Sequence, residues 1–133
     1  MNRLNPYISF NGECREAMSF YRDCLGGELN FMTVGETPVA DQCPAGSENS
    51  IMHASLDLGA FSIMSSDMGQ HQGQRGMGIA IDCSSPDELT KLFNALNVDA
   101  TVNCPVGPAF WGGIFGSLRD RFGVDWMLNC SNA

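Results

Sequence analysis

Lysine is nearly missing from this chain: Lys91 is the only one. Seven lysines and arginines stand against fifteen aspartates and glutamates, for a formal charge of −8. Phosphate binding needs a basic face, so no nucleic-acid partner is expected. The acidic balance suits solubility and favours a cationic ligand over an anionic one. Long apolar runs are also missing, and Met1-Asn2-Arg3-Leu4-Asn5-Pro6 lacks the pattern of a signal peptide. No membrane partner is expected. The six cysteines, at 14, 24, 43, 83, 104 and 130, form no CxxC pair. With neither zinc-ligand spacing nor a secretory signal, they read as free thiols in a reducing, cytoplasmic setting. A glycine-rich turn after a first strand, as a methyltransferase cofactor requires, is absent, because Gly12 stands there alone.

What is present is a chain of 133 residues, long enough for one domain with a buried core (1–133). Residues 4–10 read as a strand with Pro6 early in it, and Asn11-Gly12 breaks it and can cap a helix over 13–25. Ala17, Met18, Phe20, Tyr21, Cys24 and Leu25 give that helix one apolar stripe, and Gly26-Gly27 ends it. Strands follow at 28–34, 51–58 and 61–65, with a loop over 35–50. In the strand starting at Ile51, Met52, Ala54, Leu56 and Leu58 face one way, while His53, Ser55 and Asp57 face the other.

After a glycine- and glutamine-rich connector containing His71, the order restarts. A strand over 76–82 leads to Ser85-Pro86-Asp87-Glu88, a helix start with Ser85 as cap and Glu88 closing a capping box. Leu89, Leu92, Phe93 and Leu96 form the inner stripe of this second helix. A strand near 98–103 and a Pro- and Gly-rich loop lead to the closing segment. Two modules result, about 1–67 and 76–133, each strand–helix–strand–strand–strand. Laying Phe20-Tyr21 over Leu92-Phe93 also aligns Ala17 with Leu89 and Ile8 with Ala80.

The closing segment, Phe110-Trp111-Gly112-Gly113 through Met127-Leu128-Asn129, holds both tryptophans and reads as two apolar strands joined by Arg119-Asp120-Arg121-Phe122-Gly123. Gly123 supplies the positive φ of a tight turn. The whole chain resembles the vicinal-oxygen-chelate superfamily of glyoxalase I, bleomycin-resistance proteins and extradiol dioxygenases, and more closely its PhnB-like branch. The likeness rests on Pro6–Gly12 before Glu16-Ala17 and Phe20-Tyr21, and on Leu25-Gly26-Gly27. It continues through Met52–Leu56, Ile63–Asp67, Phe110-Trp111, Phe115-Gly116 and Asp120–Asn129.

The resemblance implies an α+β fold of two βαβββ modules forming a curled half-barrel sheet around a cavity, and a homodimer. It also implies histidine and carboxylate metal ligands on the first and fourth strands of each module in metal-dependent members. Those positions fall here near Pro6 or Tyr7, Met64, Met77 or Gly78, and Met127. None is a usual hard or borderline ligand, so no metal is expected there, and no cofactor. Some branch members carry a ubiquinone methyltransferase label, to which this sequence lends no support.

With helices outside a cupped sheet, the polar side of the Ile51 strand faces the cavity. His53 is then the candidate catalytic residue, able to bind a ligand or move a proton near pH 7. His53, Ser55, Asp57, Phe110, Trp111 and Arg119 are the candidate ligand-binding residues. Phe110 and Trp111 would floor an apolar pocket, and a buried Arg119 could hold a carboxylate or phosphonate. His53 and Asp57 lie about 13 Å apart along one strand, too far for a dyad. The expected function is metal-free binding of a small organic molecule. The alternative is a lyase, isomerase or oxygenase using His53 as acid or base.

Overall fold

The structure is a computed structural model that describes residues 5–38, 46, 48–67 and 78–131. The chain divides into two compact units, 1–73 and 74–133. In the first, β1 (Tyr7–Ser9) and α1 (Cys14–Leu25) precede β2 (Glu28–Thr33), β3 (Ile51–Asp57) and β4 (Ser62–Ser66). In the second, β5 (Gly78–Asp82) and α2 (Pro86–Leu96) precede β6 (Thr101–Pro108), β7 (Ile114–Arg119) and β8 (Asp125–Cys130). The sheet orders are β1-β4-β3-β2 and β5-β8-β7-β6, the same topology twice. Only β1 with β4 and β5 with β8 run parallel; the other pairs are antiparallel.

Each helix covers one face of its own sheet. Ala17, Met18 and Tyr21 of α1 are fully buried, as are Ile8, Ala54, Leu56 and Ile63 of the first sheet. In the second unit Leu89 and Leu96 of α2 share that burial with Leu118, Trp126 and Leu128. Gly116 makes room for the helix: a Cβ there would lie 2.8 Å from Val106 and 3.1 Å from the Phe93 ring. The alternate residues of each sheet therefore take the face opposite its own helix.

The two helix starts are built differently. Ser85 Oγ accepts from the Glu88 N–H at 3.1 Å, with Pro86 behind it, as the sequence predicts. Glu88 reaches back to the N–H of Ser84, at 3.3 Å, rather than to that of Ser85. At α1 neither Asn11 nor the N-cap residue Glu13 caps with its side chain. Asp67 does so from the far end of β4. Its Oδ1 accepts from the N–H groups of Gly12 and Cys14, both at 2.9 Å, and its Oδ2 from Ile51 at 3.0 Å. One carboxylate thus ties the helix start to two strands.

Two local expectations change. The Pro- and Gly-rich stretch after 103 is strand, since β6 runs to Pro108. It is an edge strand with register shifts at Val102/Cys104 and Cys104/Gly107, where prolines break no ladder. The repeat also slips. Phe10 and Cys83 donate alike, to the Ser66 and Asn129 carbonyls, but Phe10 lies three residues before the helix cap Glu13 and Cys83 two before Ser85. Ile8 therefore matches Ile81 rather than Ala80, while Ala17 still matches Leu89. His71, Cys43 and Met77 lie outside the described residues.

Candidate functional site

On the helix-free face of the first sheet, Tyr7, Met64, Ser55 and Asn30 are successive register partners across four strands. His53 sits two residues from Ser55, beside Met32. His53 and Ser55 are half-buried, and the His53 ring lies 6.1 Å from that of Tyr7. Asp57 shares this face but is exposed, and its Oδ1 accepts from the Gly59 N–H at 3.0 Å, fixing the turn into β4. The sheet thus gathers His53, Ser55 and Tyr7, with Met32 and Met64 as apolar flanks. Asp57 stands apart, about 13 Å along the strand from His53.

In the second unit a cleft of about 260 Å³ opens beside β6 and β7. Phe110, Trp111 and Phe115 line it with Pro105, Pro108 and Cys104. Phe110 is 97% exposed, so it is no core anchor. Its ring meets that of Trp111 edge to face at 4.7 Å, and Trp111 meets Phe115 in the same way at 5.3 Å. The indole Nε1 of Trp111 donates to Asn129 Oδ1 at 3.2 Å. Trp126, the other tryptophan, is fully buried.

Arg119 is exposed and engaged. It donates to both carboxylate oxygens of Asp125, at 2.9 and 3.2 Å, and these bonds hold its guanidinium above the ordinary arginine value. Asp120, between two arginines in the turn, is buried. Its Oδ1 accepts from the N–H groups of Phe122 and Val124 at 2.9 and 3.0 Å, and its Oδ2 from the Trp126 indole at 2.8 Å. Gly123, at φ +91°, closes this turn.

Of the metal positions on the first and fourth strands, Tyr7 is beside Met64, while Met127 is beside Ala80 rather than the expected Gly78, which pairs with Asp125. Two thioethers, a phenol and a methyl group do not fit a hard or borderline cation. Among the described residues no three histidine, cysteine, aspartate or glutamate side chains converge. Burial pushes the Cys14 thiol up to about 11 against a hydrogen bond with Ser65 Oγ, and pushes Cys83 to about 11 with help from the Glu88 charge. Both stay protonated near neutrality and are poor nucleophiles and poor metal ligands.

Sequence reasoning passed over Asn129, Phe115 and Cys104. Alternation along β8 carries the signal for the first: Trp126, Leu128 and Cys130 are buried, so Asp125, Met127 and Asn129 take the other face.

A family model described as 3-demethylubiquinone-9 3-methyltransferase matches residues 2–129. The YjdN protein of Escherichia coli K12 is 31% identical, over 95% of this chain and 93% of its own length. The crystal structure of PA1353 from Pseudomonas aeruginosa is 42% identical, covers 97% of each chain and superposes with a TM-score of 0.88. The PhnB protein of Bacillus cereus is 24% identical, with 96% and 98% covered and a TM-score of 0.75. A glyoxalase/bleomycin resistance/dioxygenase family enzyme from Burkholderia phytofirmans, 13% identical, 96% of each chain covered and TM-score 0.64, shares the fold. The repeated βαβββ module is therefore that of the glyoxalase fold.

Proposed function

We propose that this chain, which belongs to the PhnB-like family of the vicinal-oxygen-chelate superfamily, binds a small, partly apolar organic molecule. The observation that carries the reading is the aromatic cleft. An almost fully exposed Phe110 beside a hydrogen-bonded Trp111 is a large apolar surface held open to solvent. Apolar clefts with a few placed polar groups are the usual form of a ligand site. His53 and Ser55 are the polar groups on the helix-free face of the first module, a separate candidate surface, while Asp57 and Arg119 are already engaged and contribute least.

The reading needs no metal, because the first- and fourth-strand residues of each module do not suit one. Near-stoichiometric Zn, Ni, Mn or Fe in purified protein would overturn that part. Methyl transfer does not enter the reading. The start of α1, where a cofactor would sit in an ordinary methyltransferase, has the N–H groups of Gly12 and Cys14 taken by Asp67. A homodimer in the cytoplasm completes the proposal. Free Cys14, Cys24, Cys83, Cys104 and Cys130 suit a reducing compartment, and no helix of the described residues is long and apolar enough to cross a membrane. Sedimentation analysis tests the dimer.

A thermal-shift screen of small metabolites tests the binding role. A ligand at about 100 times its Kd stabilises by about 2.7 kcal/mol, a shift of several degrees for a domain of this size. The expected hit raises the melting temperature of the native chain and fails to do so in Trp111→Ala. A hit that survives Trp111→Ala places binding elsewhere. The second reading, an enzyme of the lyase, isomerase or oxygenase type, draws on the half-buried His53 beside Tyr7. Turnover of any substrate lost in His53→Ala, with its binding retained, would favour it.

A further inference from the structure

We propose that the cleft of Phe110, Trp111 and Phe115 selects an organic cation with a flat apolar body, with Asp82 as its anionic partner and Asn129 holding Trp111 in place. This rests on the binding role proposed above and narrows it to a ligand class.

The argument begins with one row of the second sheet. Asp82 on β5, Asn129 on β8, Phe115 on β7 and Gly107 on β6 are successive register partners. The side chains of Asp82, Asn129 and Phe115 leave the same face, the one opposite α2. Trp111 joins the row from the β6–β7 loop, through its hydrogen bond to Asn129 and its edge-to-face contact with Phe115. Phe110 adds a third ring, at 85° to the indole. Rings set at such angles offer negative π faces in more than one direction, which suits a positively charged guest.

The charges around the row point the same way. Among the described residues no basic side chain lines the cleft. Arg119, on the same sheet face, already spans both oxygens of Asp125. The indole N–H is committed to Asn129. An anion entering the cleft finds no countercharge. Asp82 is exposed and has no ion pair among the described residues. Two strand spacings place it about 10 Å from Phe115. That is close to the screening length at about 0.1 M salt, so its pull on a cation is strong in dilute buffer and weak in concentrated salt. The chain's charge of −8 acts in the same direction.

Three probes of one size and different charge test the proposal on the full chain by calorimetric titration at low ionic strength and pH 8. They are 1-methylquinolinium, quinoline and quinoline-6-carboxylate. The cation is expected to bind at least tenfold more tightly than neutral quinoline, with the anion weakest and 1 M salt erasing the difference. Asp82→Asn should reduce the cation's advantage several-fold and leave quinoline unchanged. Asn129→Leu should weaken both, with the melting temperature kept. Quinoline binding as tightly as the cation, or an advantage untouched by Asp82→Asn, overturns the proposed ligand class while the binding role stands. No binding of any probe, with Trp111→Ala indistinguishable from the native chain, overturns both.

Discussion

Removing the Asp120 carboxylate would strand three N–H groups at once. Trp126 is fully buried, so its indole N–H has no route to water once Asp120 Oδ2 is gone. Leaving a buried donor unsatisfied costs about 1–3 kcal/mol, and bonds to a charged acceptor lie at the high end. The amides of Phe122 and Val124 also lose Oδ1, and both residues are buried, at 5% and 3% exposed. A water in the vacated space would satisfy part of that demand. The backbone bonds Asp120 N–H to Val124 O and Gly123 N–H to Asp120 O remain, at 2.9 and 3.0 Å, so the hairpin keeps its register. The sum for Asp120→Ala is about 3–5 kcal/mol, a large share of the 5–15 kcal/mol of an ordinary domain.

Urea unfolding followed by circular dichroism measures this without relying on tryptophan emission. Asp120→Asn keeps one oxygen but aims an amide donor at another donor, for a loss of about 2–3 kcal/mol, and it guards against an alanine variant that does not fold. A double-mutant cycle with Trp126→Phe isolates the indole bond. Asp120→Ala should be milder by about 1–2 kcal/mol once the indole N–H is absent. A loss below about 1 kcal/mol with no coupling to Trp126 would refute the reasoning, because the carboxylate would then be solvated in solution.

The buried thiols give a pH dependence. Cys14 and Cys83 sit near 11 in the fold against an ordinary 9.0, so between about pH 9 and 11 the unfolded chain loses protons that the folded one keeps. Their contribution is complete below pH 9 and fades toward pH 11, by about 2–3 kcal/mol for Cys14; urea midpoints across that range should flatten in Cys14→Ala. At pH 8 a thiol reagent should modify exposed Cys104 and spare Cys14 and Cys83 until unfolding, read by mass spectrometry. Gly113→Ala should cost more than about 2 kcal/mol, because φ there is +82° and a Cβ would press on the Cys130 carbonyl oxygen. Gly112→Ala, at φ +95° with open space around it, should cost only about 1 kcal/mol, and equal losses at the two sites would contradict the packing. Arg119→Ala should leave both the melting temperature and binding in the aromatic cleft unchanged, since its pair with Asp125 is on the surface.

How much of this was legible depends on how far apart the cooperating residues lie. The start of α2 was readable because Ser85, Pro86 and Glu88 are neighbours. The start of α1 was not, because its cap, Asp67, lies more than fifty residues from the amides it serves. The same holds for β6. Its prolines argue for loop until the sheet order shows an edge strand, and sheet order is not a local property. Asp120 misled for a different reason. Flanked by Arg119 and Arg121, it reads as part of a charged surface turn, but Gly123 folds the turn back so that the middle carboxylate points inward. The candidate residues of β3 followed from period-two alternation. The link between Trp111 and Asn129 joins a loop to a strand eighteen residues on, and no local pattern announces it.

The fate of the carboxylates bears on which function the fold can carry. Asp67 and Asp120 hold backbone amides, Asp57 fixes a turn, and Asp125 is paired with Arg119. The rows of the two helix-free faces carry serines, thioethers and aromatic rings, with His53 in the first module and Asp82 and Asn129 in the second. A surface of that kind offers soft, polarisable contact and few groups that can move a proton. Hydrolytic or metal-assisted chemistry draws on converging ionisable groups, and among the described residues no three histidine, cysteine, aspartate or glutamate side chains converge. Retention of an apolar guest draws on what they have. Under the proposed binding role, Trp111, more than His53, is the first position to mutate.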